Sequence, residues 1–330
     1  MTLGDNERQK PGQDRSTLQL TEEEWRLLQN TDVEHGATLI GTEAWFMSAY
    51  SWAYVTMASW NRSLMAAKAA RQPLFLYAAK DYISNVDNRD VLAVRDLLLK
   101  IPNMNSTGRL PAVLLACLTM RVRCTVTICR RTCPVDTTGV VQHIELHPTD
   151  HMRWQQTECE SIFVLHRPPT ILVKLDDNDE DTGLGPGIIA VDKQLCEPFY
   201  NELELTDDGG SRARLLKVKA RREQVPLTIV AASTLYTLQG TTAEPGLIYY
   251  FNTPRRLSKV MQWIACYMAL SRVRSLVSLR SIGLTSAVRD LINNGPPAGF
   301  LTRFLTVFGD KIAMAHQEIE KTLTELEWNT

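Results

Sequence analysis

The chain has 330 residues, 44% hydrophobic and 22% charged, enough to bury a sizeable core and to be expected as two domains. Its 36 Lys and Arg against 37 Asp and Glu leave a net charge near −1, which excludes polyanion binding driven by overall charge and demands a local basic patch instead. Seven cysteines, an odd number in a sequence without an export signal, point to a reducing compartment and free thiols.

Residues 1–20 contain no apolar core of the signal-peptide kind and carry acids that transit peptides avoid, so they read as a flexible leader. Thr21 before Glu24 has capping-box spacing and predicts a helix start, and "ATLIGT" (residues 37–42) predicts a short strand. Residues 45–70 have helical spacing with many aromatic and Met side chains, the composition of a buried face. The longest apolar run, "LPAVLLACLTM" (residues 110–120), is about half the roughly 20 residues a bilayer span needs, so no membrane partner is expected.

From residue 122 the pattern turns to alternation. Val122 to Ile128, Gly139 to Pro148 and Pro168 to Asp177 each predict β structure, and together with Gly/Pro turns they suggest a small β barrel over residues 110–204. The acidic stretch "DDNDEDTGLGPG" (residues 176–187) lacks the glycine and terminal Glu spacing of a Ca²⁺ loop and reads as a solvated turn. Six basic residues, Arg212, Arg214, Lys217, Lys219, Arg221 and Arg222, then precede a predicted strand at residues 227–232, a turn and a helix. "GLIYYF" (residues 246–251) predicts a further strand and residues 258–270 a helix, so the order strand, helix, strand reads as a parallel α/β unit; the tail to residue 330 reads as helical.

Three motif-like features are set aside on their chemistry. "GATLIGTE" (residues 36–43) has phosphate-loop glycine spacing, but Thr42 and Glu43 stand where Lys and Ser/Thr are required, and Glu43 would repel phosphate. "ILVKLDD" resembles an apolar strand ending in a Mg²⁺-binding Asp, yet Lys174 interrupts it. Cys129, Cys133, His143 and His147 form two close pairs, as a tetrahedral Zn²⁺ site wants, but only nine residues connect the pairs. The two histidines sit in an alternating segment where they share a solvent face, and no metal site is assigned.

"AASTLYTLQGTT" (residues 231–242) and "YMALSRVRSLVSLRSI" (residues 267–282), about 25 residues apart, resemble the last two helicase motifs of the Pif1-like DNA helicases of superfamily 1. Upstream, "RREQVPLTIVAA" is similar to the lead-in to the fifth motif. "LTMRVRCTVTICRRTCPVDTTGVV" is similar to the entry into that family's small SH3-like insertion, and "PPTILVKLDD" and "GLGPGIIAV" follow in the expected order. "LTEEEWRLL" and "SWNRSLMAAKAARQPLFLYAAKD" are similar to the start of the second RecA-like lobe, so the resemblance spans most of residues 20–284.

The fold this implies is α/β: a RecA-like second motor lobe (residues 21–109 and 205–284, the latter carrying motifs V and VI), an inserted small SH3-like β barrel (110–204) and a helical tail (285–330). ATP and Mg²⁺ are the implied cofactors, with ATP held in a cleft against a first RecA-like lobe. Arg272 matches the arginine finger, the catalytic group whose planar fork stabilises charge on the γ-phosphate. Gln239 and Gly240 match a Gln-Gly pair that, with Arg272, contacts nucleotide. Thr234 and Thr242 match positions facing single-strand phosphates; Arg221 and Arg222 belong to a basic run that reads either as an extension of the implied track for single-stranded or forked DNA or as a solvated barrel strand, and Arg274 is a supporting ion-pair or DNA-facing residue.

The resemblance implies ATP-driven unwinding in DNA repair, recombination and telomere maintenance, in the nucleus. Departures are specific: Tyr236, Thr237 and Leu238 stand where the family reads His-Lys-Ser, and the glycines expected near Thr119 and around Thr137 are missing. No residue supplies a phosphate-loop lysine or a Mg²⁺ carboxylate, so the chain by itself is expected to be inactive, either as a fragment joined to a first lobe or as a degenerate, non-catalytic nucleic-acid-binding or scaffolding copy.

Overall fold

The computed structural model describes residues 20–32, 45–48, 52–156, 161–176, 178–206, 213–234, 242–244, 246–251 and 258–295. The elements in chain order begin α1 (Glu22–Gln29), β1 (Trp45–Ser48), α2 (Trp52–Ala70), β2 (Leu74–Ala78), β3 (Lys80–Ser84), α3 (Val91–Leu99), β4 (Val113–Ala116), β5 (Arg121–Cys124), β6 (Thr138–Glu145) and α4 (Pro148–Gln156). They continue with β7 (Ile162–Val164), β8 (Thr170–Leu175), β9 (Ile188–Val191), β10 (Gln194–Leu195), β11 (Phe199–Thr206), β12 (Ala213–Gln224), β13 (Leu227–Ile229), β14 (Ala232–Thr234), β15 (Leu247–Tyr250), α5 (Lys259–Leu270), β16 (Leu279–Ile282) and α6 (Ser286–Asn293). The fold is mixed α/β, and no described helix is long and apolar enough to cross a membrane.

Two compact units divide the chain: Met1–Leu39 with Tyr249–Thr330, and Ile40–Ile248. In the first, the capping box forms as the sequence predicts, with Glu24 N–H donating to Thr21 Oγ1 at 3.2 Å and Thr21 N–H donating to Glu24 Oε2 at 2.9 Å. The segment after α1 is stapled to β16: Ser281 N–H donates to the Thr31 carbonyl at 2.9 Å, and fully buried Asp32 accepts from Leu284 N–H at 2.9 Å. Arg289 of α6 pairs with Glu22 and holds that carboxyl below its usual range. Ser258 caps α5 by accepting from Met261 N–H at 3.3 Å.

Among its described residues the larger unit contains, besides the parallel pair β1/β14, sheets with strand orders β13-β5-β6-β8-β9, β4-β2-β7 and β10-β12-β11, the last extended by β3 pairing with β12. Strands from residues 110–204 are shared among all three. Val55, Ala58 and Ala67 of α2 join Leu74, Phe75, Leu115, Val122, Ile171 and Leu227 in one core. A second core lies under α3, where Val94 and Leu98 meet Phe199, Leu203 and Val218. Burial at about 25 cal/mol per Å² of apolar surface is the main stabilising contribution in both.

Several sequence expectations shift. Residues 45–48 are strand, not helix, and the strand expected over residues 227–232 is split into β13 and β14 by a turn at Val230 and Ala231. Alternation in β6 is broken by a bulge between Val141 and His143, so Gln142 and His143 both face out. Gly139 is required in β6, because a Cβ there would lie 2.4 Å from the Lys174 carbonyl on β8. The strand and glycine-rich stretch at residues 36–43 and most of the tail lie outside the described residues.

Where the resemblance expects glycines, the backbone is left-handed: Thr119 has φ 65° and Asp136 φ 69°. Asp tolerates this conformation, whereas a β-branched Thr is strained in it.

Helix α4 was not predicted from sequence, and it is fixed by Asp150. That carboxylate is fully buried, which opposes its ionisation. Arg167 N–H at 2.8 Å, His166 N–H at 3.0 Å and the Arg153 guanidinium at 2.7 Å outweigh burial and hold its pKa below the usual range. Above it, Trp154 packs edge-on against Phe75 and Phe163 with centroids 5.4 and 5.2 Å away.

Two substitutions test these features. Asp150→Asn should lose about 2 to 3 kcal/mol near pH 7. A depressed folded-state pKa contributes stability above the unfolded value of about 3.9 and loses it as pH falls through the lower folded value. Urea midpoints of the wild type should fall across that acid window while those of Asp150→Asn stay flatter. Thr119→Gly should raise stability by up to about 1 kcal/mol, because relief of backbone strain exceeds the extra unfolded-state entropy.

Candidate nucleic-acid interface

In the larger unit, β14 runs parallel to β1, with Phe46, Met47 and Ser48 opposite Ala232, Ser233 and Thr234. Thr234 stands at the carboxyl end of this pair, the end at which open α/β sheets gather ligands. Ser233 is 1% exposed and its Oγ accepts from Arg123 Nη1 at 3.1 Å. Arg123 comes from β5, whose register sets it opposite Thr228 of β13 and Thr138 of β6. The residue is 8% exposed, with Nε 3.6 Å from Asp136 Oδ1 and no hydrogen bond to that nitrogen. Burial lowers the pKa of this guanidinium, and Asp136 opposes the shift.

Arg123, Ser233 and Thr234 line a cavity of about 250 Å³ that is walled also by Trp60, Met104 and the exposed Lys100. A guanidinium, hydroxyl groups and an indole in one lining suit a phosphate bearing a planar group, since bases stack on aromatic faces and phosphates take guanidinium forks. Arg123 escapes sequence reading because it follows the buried Val122 and precedes the buried Cys124, so it breaks the expected alternation.

A second surface is built by β3, β12 and β11. Strand β12 alternates strictly from Lys217: Val218, Ala220, Arg222 and Gln224 are buried, and Lys217, Lys219, Arg221 and Glu223 face the other way. Beside this outer row stand the exposed Tyr82, opposite Arg221 on β3, and Tyr200, opposite Lys219 on β11. Lys219 Nζ lies 5.8 Å from the Tyr200 ring centroid and Lys80 Nζ 4.9 Å from that of Tyr82. Arg221 Nε donates to the Cys196 carbonyl at 3.0 Å. Interleaved bases and tyrosines on one sheet face have the composition of single-strand platforms.

Arg222 requires a correction. It was expected to face DNA, but it is fully buried and forms a two-pronged pair with Asp81, Nε to Oδ1 and Nη2 to Oδ2 both at 2.8 Å. Nη2 also donates to the Leu98 carbonyl at 2.9 Å. The reason is parity: residue 222 falls on the inward face of β12, directly opposite Asp81 of β3.

The remaining site residues lie as follows. Thr242 is exposed; Gln239 and Gly240 are outside the described residues. In the smaller unit, half-buried Arg272 ends α5, where its Nε donates to the Met268 carbonyl at 3.3 Å and its Nη2 to Ser271 Oγ at 3.0 Å. A cation at this helix end is favoured by the macrodipole. Arg274, two residues on, is exposed. Of the cysteine and histidine pairs, Cys133 is buried, Cys129, His143 and His147 are exposed, and His147 Nδ1 lies 2.8 Å from Thr149 Oγ1. Among the described residues no three His, Cys, Asp or Glu side chains converge on a metal-sized site.

No family model and no curated protein matches the chain. Solved structures are similar to it. The Pif1 helicase of Candida albicans shares 14% identity over 89% of this chain and 59% of its own, with a TM-score of 0.45. Pif1 from Bacteroides bound to ssDNA shares 17% identity over 88% of this chain and 51% of its own, TM-score 0.48. The Bacteroides Pif1 helicase in complex with ADP-AlF3 and ssDNA shares 17% identity over 86% and 52%, TM-score 0.43. The chain thus spans about half to three fifths of the length of these proteins.

Neighbouring arginines of β12 should behave oppositely. Arg222→Ala should lower stability by about 3 to 5 kcal/mol in urea unfolding, because it strands the Asp81 carboxylate in the core. Arg221→Ala should leave the unfolding midpoint within the scatter of surface substitutions.

Proposed function

We propose that this chain is the second motor lobe of a Pif1-like DNA helicase: a RecA-like α/β lobe interrupted by a small SH3-like β barrel over residues 110–204 and extended by the helical tail from residue 285. One observation carries the reading. The stretch that resembles the fifth helicase motif begins on β14, paired in parallel with β1, and its Thr234 shares a cavity with the buried Arg123. A single strand would run from this cavity's Thr234, with Thr242 also on its track, and the basic row of β12 with Tyr82 and Tyr200 would offer stacking and phosphate contacts.

In this reading Arg272 is the finger that neutralises charge developing on the γ-phosphate of ATP, and Gln239 and Gly240 link nucleotide to the strand. To act, the Arg272 guanidinium leaves the Met268 carbonyl and Ser271 hydroxyl that hold it, an exchange of hydrogen bonds at a helix end. The fit to ATP is partial by chemistry. The sequence includes an arginine fork for phosphate oxygens but no phosphate-loop motif with its lysine, and among the described residues no three His, Cys, Asp or Glu side chains converge on a metal-sized site. The lysine and the Mg²⁺ ligands would come from a first RecA-like lobe outside these 330 residues, and unwinding of forked DNA in nuclear repair, recombination or telomere maintenance would belong to that assembly.

A second reading, a non-catalytic nucleic-acid-binding or scaffolding copy, is favoured by Tyr236, Thr237 and Leu238 in the place of a cationic turn. Both readings share the strand-binding surface and differ in Arg272.

Fluorescence anisotropy with labelled single-stranded DNA should detect binding by the chain alone, and Arg221→Ala should reduce the slope of log affinity against log salt by about 0.7 for one lost phosphate contact. No binding at low salt would overturn the strand-binding reading. The chain alone should show no DNA-stimulated ATP hydrolysis. Combined with a competent first lobe, Arg272→Ala should cut hydrolysis by roughly 10³-fold or more while sparing nucleotide binding; an unchanged rate would favour the non-catalytic reading.

A further inference from the structure

The end of β5 and the segment leading to β6 carry three thiols that the helicase reading does not use. Cys124 and Cys133 are buried, at 1% and 0% exposure, with their sulfurs 3.3 Å apart. Cys129 is exposed and lies opposite Cys133 in a short antiparallel bridge: Cys129 N–H donates to the Cys133 carbonyl at 3.2 Å and Cys133 N–H to the Cys129 carbonyl at 2.9 Å. Residues that exchange both such bonds have Cα atoms about 5.5 Å apart, inside the range of roughly 4.4 to 6.8 Å that a disulfide spans. Cys133 thus sits between an outer and an inner thiol, within bonding reach of each.

Their acidities differ in the sense a relay needs. The Thr132 side chain and the backbone N–H groups of Thr132 and Arg131 stabilise the Cys129 thiolate and lower its pKa to about 7. That thiol is substantially ionised at neutral pH and is a good leaving group. Contact with Cys133, and then burial, push the Cys124 thiol up. Contact with the Cys124 sulfur lowers the Cys133 thiol against burial, with the Thr137 hydroxyl assisting.

We propose that Cys129, Cys133 and Cys124 form a hydroperoxide-reactive relay that ends in a Cys124–Cys133 disulfide. The Cys129 thiolate attacks the hydroperoxide. An S–O bond forms, the O–O bond breaks, and the departing alkoxide, or hydroxide when the oxidant is hydrogen peroxide, takes a proton from solvent, so the sulfur is oxidised to a sulfenic acid and the peroxide reduced by two electrons. The Cys133 thiolate then attacks the Cys129 sulfur; an S–S bond forms and the sulfenic oxygen leaves as water after gaining a proton. Cys124 gives its proton to solvent and attacks the Cys133 sulfur, and the Cys129–Cys133 bond breaks to release the Cys129 thiolate. Two thiols and one hydroperoxide become one disulfide, one alcohol (or water) and one water. The final bond ties the end of β5, next to Arg123 at the candidate cavity, to the start of the turn containing Asp136.

The test uses the full chain, reduced and then exposed to equimolar hydrogen peroxide at pH 7, quenched by alkylation and digested with trypsin without reduction. Cleavage after Arg123, Arg130 and Arg131 puts Cys124 and Cys129 in one peptide and Cys133 in another, and fragment ions report which cysteine of the first carries the alkyl group. The expected product links Cys133 to Cys124 with Cys129 alkylated. Cys129→Ser, an exposed position, should slow that link at least tenfold, and Cys124→Ala should stop the reaction at a Cys129–Cys133 link. Formation of the Cys124–Cys133 link at an unchanged rate in Cys129→Ser would overturn the relay. So would Cys129 oxidised to sulfinic acid while Cys124 and Cys133 remain alkylatable.

Discussion

Asp81 and Arg222 face each other across β3 and β12 in the interior of the larger unit, two full charges at 0 to 1% side-chain exposure. Such a pair persists only when geometry is two-pronged and the leftover donors find acceptors, because desolvation otherwise exceeds the attraction. Both conditions hold: the guanidinium meets both carboxylate oxygens and also donates to the Leu98 carbonyl near the end of α3. One side chain thereby fixes the β3/β12 register and the seating of α3 over the hairpin of β11 and β12. Its neighbour Gln224, equally buried, donates to the Tyr77 carbonyl on β2 and ties that sheet to the next. With Arg222 and Gln224 turned inward, strand parity turns Lys217, Lys219 and Arg221 outward, so the basic face exists because the core holds an arginine.

This explains what a sequence can and cannot disclose here. The capping box at Thr21 and Glu24, the alternation of β8 and the apolar run of β15 are local signals, and each element forms where its pattern lies. Helix α4 is not legible because its amphipathic pattern is weak; its anchor is Asp150, whose backbone partners His166 and Arg167 lie a loop and a strand later. The bulge in β6 moves His143 to the solvent face by inserting one residue, a shift no period-2 reading anticipates. Thr234 and Arg221 stand out in the sequence as part of a motif-like stretch and a basic run, whereas Arg123, Tyr82 and Tyr200 are brought to their places only by register. The same limit misassigned Arg222. A run of six basic residues looks uniform in a sequence, yet a strand deals its members alternately to water and to the core.

The left-handed backbone at Thr119 and Asp136 adds a point about substitution. Thr119, and Asp136 beside Thr137, adopt the left-handed conformation that favours glycine, and Asp136 uses its side chain as well, placing a carboxylate 3.6 Å from both Arg109 and Arg123. The turn geometry survives the loss of glycine because the flanking strands β4, β5 and β6 fix it: Thr119 N–H donates to the Val141 carbonyl and Asp136 N–H to the Cys124 carbonyl, each at 2.9 Å. Asp136 then tunes the charge of the Arg123 cavity, something a glycine could not do.

The Asp81 and Arg222 partners are separated by 141 positions in the chain. On a ribosome adding about 5 to 20 residues per second, roughly 7 to 28 s elapse between the synthesis of the acid and that of its base. Throughout that interval the carboxylate remains hydrated, and the sheet it will complete has an open edge at β3. The β3/β12 pairing, and the two-pronged ion pair within it, therefore forms only after β12 has been made.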